Sequence, residues 1–126
     1  MLLLSACSSS SQPVTSSPVL TTETFSGTVD VGGTDFHKFV VAVSGEVDIT
    51  LTAAGPPSTI FMGLGVGNPS TDGSTCVLIS GATTVTPAGN TPQLAGTAGA
   101  GTFCISVFDA GNQTAQISYT VAVAHP

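Results

Sequence analysis

Apolar and polar residues alternate along most of this chain after residue 24. Residues 25–31 (FSGTVDV) alternate before Gly32-Gly33 turns the chain, and residues 34–43 place Phe39, Val41 and Val43 on one face. Ser44-Gly45 is a two-residue turn with the pattern of a hairpin. In residues 46–52, Val47, Ile49 and Leu51 point one way and Asp48, Thr50 and Thr52 the other, as in a half-buried antiparallel strand. Gly55-Pro56-Pro57 closes that hairpin. An apolar run follows over 59–66, then a Gly/Asn/Pro/Asp loop over 67–73 and a strand over 75–80. Residues 82–101 are Thr, Pro, Gly and Ala with little to bury, apart from Val85 and Leu94. Strands resume over 101–109 and 114–124, the latter with Ile117, Tyr119, Val121 and Val123 in register. No window of helical length keeps a 3.6-residue period. About eight short strands at regular spacing predict an all-β fold, a single antiparallel, jelly-roll-like β-sandwich over residues 25–126.

The first 24 residues have a different texture. Residues 8–24 are Ser, Thr, Pro and Gln without a sustained apolar period, and Pro13 and Pro18 interrupt regular structure. They read as a disordered tether with a coil-like reach of roughly 20–25 Å. Ahead of it, Leu4-Ser5-Ala6-Cys7 resembles the lipobox of bacterial lipoproteins, an apolar residue and two small ones before a cysteine. The resemblance implies that residues 1–7 are the end of a signal sequence and that Cys7 is the lipid attachment site. Only Met1 to Leu4 remain of the basic and apolar regions of a signal peptide, too few for either, so the full signal is expected upstream. The alternative is an ordinary cysteine near a frayed terminus. Ser8 lacks the acidic character that retains such proteins in the inner membrane. The expected location is therefore the bacterial envelope, at the outer membrane or cell surface.

Cys76 and Cys104 are left as a pair. In an exported chain they are expected to form a disulfide, which would stabilise by roughly 3–4 kcal/mol. Two buried thiols in separate strands are the alternative.

Charge narrows the partners further. Charged residues make up 6% of the chain, against about 25% in ordinary domains, so the polar face must be Ser, Thr, Gln and Asn. The formal net charge is −6 and Lys38 is the one lysine or arginine. Phosphate recognition and anionic-lipid binding both need several cations, which excludes a nucleic-acid role and a basic membrane patch. The membrane is then reached through the lipid anchor, and the expected partner is an envelope protein or polysaccharide.

The order of segments resembles the bacterial pre-peptidase C-terminal domain. The likeness is carried by Phe25-Ser26-Gly27-Thr28-Val29, then Thr34-Asp35-Phe36-His37-Lys38-Phe39, then Gly45-Glu46-Val47-Asp48-Ile49. Ala100-Gly101-Thr102-Phe103 and Tyr119-Thr120-Val121 complete it. It implies a compact sandwich used for binding or accessory roles. Calcium and glycan binding belong to members with extra acidic or aromatic residues.

Calcium needs about six to eight oxygens. Asp30 and Asp35, flanking Gly32-Gly33, are the candidate metal ligands, set against the simpler role of solvated turn acids. Glycan stacking would use Phe36 or Phe108, since there is no Trp. A hydrolytic triad would rest on His37 or His125. His125 is expected at a frayed end and His37 as a hydrogen-bonded sheet residue. Gly63-Leu64-Gly65-Val66-Gly67 lacks the spacing and the following helix of a dinucleotide loop. No cofactor is expected. The expectation is thus a non-enzymatic, lipid-anchored module for binding or envelope structure, with residues 67–74 and 86–101 as contact loops. The alternative is an accessory glycan- or calcium-dependent substrate binder.

Overall fold

The computed structural model describes residues 18–126, and among them there is no helix. Eight strands follow in order: β1 (Thr21–Val29), β2 (Thr34–Val41), β3 (Gly45–Gly55), β4 (Met62–Pro69), β5 (Cys76–Thr86), β6 (Leu94–Ala98), β7 (Gly101–Phe108) and β8 (Ile117–His125). They form two four-stranded antiparallel sheets ordered β1-β8-β3-β6 and β2-β7-β4-β5. This is the jelly-roll order. The pairs β1·β8, β2·β7, β3·β6 and β4·β5 nest inside one another, like one long hairpin with its tip at β4–β5. Rolling that ribbon adds the seams β3·β8 and β4·β7.

The alternation read from the sequence is what the roll buries. Val47, Ile49 and Leu51 of β3 and Ile117, Tyr119, Val121 and Val123 of β8 face Phe39, Val41, Met62, Leu64, Ile105 and Val107 of the other sheet, all at most 7% exposed. Successive strand side chains point to opposite faces, so each inward row is every second residue. Each fully buried side chain of this size contributes roughly 1.5–3 kcal/mol.

Several local expectations are corrected. The sandwich starts before residue 25: residues 21–24 extend β1 and pair with residues 122–125 of β8. Their threonines suit a strand, and β8 offers a complete backbone ladder. The same pairing means that His125 is not frayed, for it is 6% exposed. Ser44-Gly45 is not a hairpin turn, because β2 and β3 lie in different sheets. The turn at Gly32-Gly33 likewise crosses from one sheet to the other. Alternation fixes which face a residue takes but not which strand lies beside it. Val43, expected beside Phe39 and Val41, lies beyond the end of β2 and is exposed. The polar stretch after residue 82 is partly strand, as the end of β5 and all of β6. These are the edge strands of their sheets, so they bury few side chains and carry little apolar signal.

β5 is interrupted where Gly65 pairs with Thr83 but Gly67 with Leu78. Residues 79–82 of β5 thus stand opposite Val66 alone, and Gly81 supplies a left-handed backbone (φ +85°). Beyond this bulge β5 crosses closely over Gly67. A Cβ there would collide with the Val77 carbonyl and come within 2.9 Å of the Leu78 Cα. The crossing brings Cys76 to Cys104 on β7, with Cα atoms 5.9 Å apart, and the two form a disulfide.

Candidate functional site

The two open sides of the sandwich are treated differently. On one side edge strands β1 and β2 approach each other, and polar side chains fill the space between them. The Tyr119 hydroxyl donates to Asp35 Oδ2 at 2.6 Å. It lies 2.8 Å from His37 Nε2, which is 3.7 Å from the same carboxylate oxygen. Phe25 stacks on the imidazole with ring centroids 4.9 Å apart. Gly27 faces this group without a side chain, and a Cβ there would strike Asp35 Oδ2 and the Tyr119 ring. Burial, then the hydrogen bond to Asp35 and that carboxylate's charge, push the Tyr119 phenol far above its ordinary value. A phenol held protonated in this way is a donor, not a nucleophile or base.

On the opposite side, edge strands β5 and β6 do not close. The β5 bulge stands away from β6 and leaves an apolar trough of about 450 Å³. Phe39, Ile49, Val66 and Phe103 form its floor, with Ile79 to Ala82 on one wall and Leu94 to Gly99 on the other. No charged side chain lines it. On β6, Leu94 and Gly96 pair with Ile49 and Val47 and so face inward, whereas Ala95 and Thr97 pair with Asp48 and Glu46 on the outer face. Among the described residues β6 has β3 as its only strand neighbour.

The expected site residues fall as follows. Cys7 and most of the tether lie outside the described residues. Asp30 and Asp35 turn to different partners, Asp30 accepting from Gln116 Nε2 at 2.7 Å and Asp35 from Tyr119. Among the described residues no group of three or more His, Cys, Asp or Glu is placed to hold a metal. The carboxylate that serves the Gly32-Gly33 turn is Asp109, accepting from the Gly32 amide at 2.7 Å and from Gly111 at 2.8 Å. His37 is hydrogen-bonded within the sandwich, and His125 Nε2 lies 2.6 Å from Glu23 Oε2. The Phe108 ring covers Gly63, where a Cβ would overlap it, so one of its faces is occupied. The 67–74 loop contracts to a tight turn after β4, where Asp72 accepts from Ser70 and Ser74. The trough was not legible in the sequence. Small residues and a bulge build it, and neither leaves a periodic signal.

The Asp109 arrangement makes a pH prediction. Its four backbone N–H donors, Gly32 and Gly111 foremost, hold the carboxyl below the ordinary carboxylate range. A depressed folded value contributes stability above the unfolded value of about 4 that is lost as pH falls through the folded one. Asp109→Asn is expected to flatten the acid limb of a stability-versus-pH curve, measured by chemical denaturation from neutrality to about pH 2. An unchanged acid limb would contradict that role.

No family model matches this sequence, and no curated protein matches it either. Among solved structures, the periplasmic g-type lysozyme inhibitor PliG of Aeromonas hydrophila superposes with a TM-score of 0.50. The match is 13% identical and covers 82% of this chain and 84% of that one. The likeness is one of fold: an all-β sandwich.

Proposed function

We propose that the chain is a non-enzymatic binding module, anchored to the bacterial envelope by lipid on Cys7, that presents one open side of its jelly roll to a partner. The observation that carries this reading is the trough between β5 and β6, a concave apolar surface beside an edge strand. The histidines support a non-catalytic role, since their hydrogen bonds go to Tyr119, Glu23 and the Pro126 carbonyl rather than to a serine hydroxyl. The disulfide suits an oxidising compartment outside the cytoplasm. PliG, a sandwich of similar fold, is by its name an inhibitor of g-type lysozyme.

The reading is tested on protein purified from its native membrane after mild crosslinking. Intact mass is expected to begin at Cys7 plus acyl chains, to rise by two hydrogens on reduction, and to show an adduct with an envelope component. A chain recovered from the cytoplasm with Met1 intact would overturn the anchor. A membrane-bound chain that crosslinks to nothing would overturn the binding role.

A further inference from the structure

Strands at the edge of a sheet offer unpaired N–H and C=O groups, and proteins ordinarily blunt them with charge, proline or a bulge. β6 carries none of these devices. Its sequence is Leu94-Ala95-Gly96-Thr97-Ala98, uncharged and regular in its pairing with β3. The two faces beside it differ sharply. Inward lies the trough, uncharged and floored by Phe39, Ile49 and Phe103. Outward, on the neighbouring strand, lie Glu46 and Asp48, opposite Thr97 and Ala95.

These two acids sit two residues apart on one face, and among the described residues neither forms a salt bridge. Asp48 raises the Glu46 carboxyl above its ordinary value, first through a hydrogen bond between the two carboxyl groups and next through the repulsion of its charge. A cation brought to this face would relieve that repulsion. Ala95 and Thr97 are short, so a long basic side chain on a strand added beyond β6, about two strand spacings or ~10 Å from β3, has an unobstructed path to the acids.

Resting on the binding role proposed above, we propose that β6 and its trough form a strand-docking site for an extended segment of a partner protein in which apolar side chains alternate with lysine or arginine. The added strand would pair with the free edge of β6. Its apolar residues would enter the trough and its cations would face Glu46 and Asp48. Backbone pairing would supply affinity and the alternate side chains specificity. Charge argues against a second copy as the occupant. Each chain carries a formal charge of −6 and one lysine, so two copies would bring acids to acids. The chain's own first residues are also a poor match, for residues 1–17 contain no lysine or arginine.

The probe is a capped heptapeptide alternating valine and lysine, titrated into the full chain at low salt while backbone amide resonances are followed. Controls are an isomer with its lysines and valines in blocks and an analogue with serine for lysine. Shifts are expected on residues 94–98 and the trough wall with the alternating peptide alone. Gly96→Leu is the decisive variant. A Cβ at Gly96 meets nothing within 4 Å, so there is open space for a larger side chain on the trough side of β6; with the fold checked by its amide spectrum, binding is expected to be lost. The Glu46→Gln/Asp48→Asn double variant is expected to weaken binding by roughly fivefold, an effect that added salt mimics.

Equal binding by the serine analogue or the blocked isomer would overturn the proposal. So would unchanged binding to Gly96→Leu, protection in the free chain of the β6 amides that point away from β3, or a dimer that buries β6. A native-membrane crosslink that forms away from β6 would remove this site and leave the binding role standing. Loss of every native crosslink would remove both.

Discussion

Replacing both Cys76 and Cys104 by alanine is expected to lower the unfolding free energy by about 3–4 kcal/mol, since the bridge closes a loop 28 residues long. For a domain of this size that corresponds to a fall in midpoint temperature of roughly 15–20 °C. The loss should fall hardest on β5, an edge strand whose first residues are held over the sheet by the disulfide and by the close passage across Gly67. Gly67→Ala tests the same geometry from the other partner. Its Cβ would press against the backbone of Val77 and Leu78, which cannot swing aside as a side-chain tip can. The variant is expected to lose about 1–3 kcal/mol by overpacking even with the bridge formed, and to raise the fraction of chains with free thiols after refolding. Thiol titration and chemical denaturation measure both effects. Should Gly67→Ala refold with a complete bridge and wild-type stability, the close crossing of β5 over β4 would be wrong.

What could be read from the residues, and what could not, divides along physical lines. Strands that fill the core announced themselves: β3 as far as Leu51, and the whole of β8, carry strict two-residue alternation because one face is buried there. Edge strands did not. β6 is five residues of Leu, Ala, Gly and Thr, and β5 has no fully buried residue along its length, so little in their pattern separates them from loop. Topology was also hidden, because β1 pairs with β8 and β2 with β7 across most of the chain length. The chain does reverse between β2 and β3, but over residues 42–44, and the reversal joins the two sheets and not two neighbours in one.

In the folded chain Gly27, Asp35 and Tyr119 meet at one point. The glycine leaves room, the acid accepts and the tyrosine donates, so the three residue types are parts of one hydrogen bond. Their spacing along the chain gives no hint of that contact. The sandwich is thereby closed on the β1/β2 side by a satisfied polar cluster and left open on the β5/β6 side by a bulge. On that asymmetry rests the proposal that one edge serves stability and the other binding.

The closed edge is open to a direct test, because Tyr119 is the one tyrosine in a chain with no tryptophan. The residue is 3% exposed, and its hydroxyl donates to Asp35 and meets His37. Ionising it in place would bury a phenolate beside a carboxylate. A group whose folded value is raised contributes stability that is fully present below the unfolded value of about 10 and is lost as pH rises above it. Phenolate absorbance is therefore expected to stay absent from the folded protein above pH 10 and to appear only together with loss of the β-sheet circular dichroism signal. Tyr119→Phe keeps the ring in the core but removes the donor. Asp35 and His37 are 36% and 29% exposed and can turn to water, so the expected cost is about 1–3 kcal/mol. In Gly27→Ala, displacement of Asp35 from the hydroxyl should let the phenol ionise at lower pH than in the parent chain, before global unfolding. A phenol that titrates near pH 10 in the intact fold would show that Asp35 does not hold it, and the polar closure of the β1/β2 edge would then fail with it.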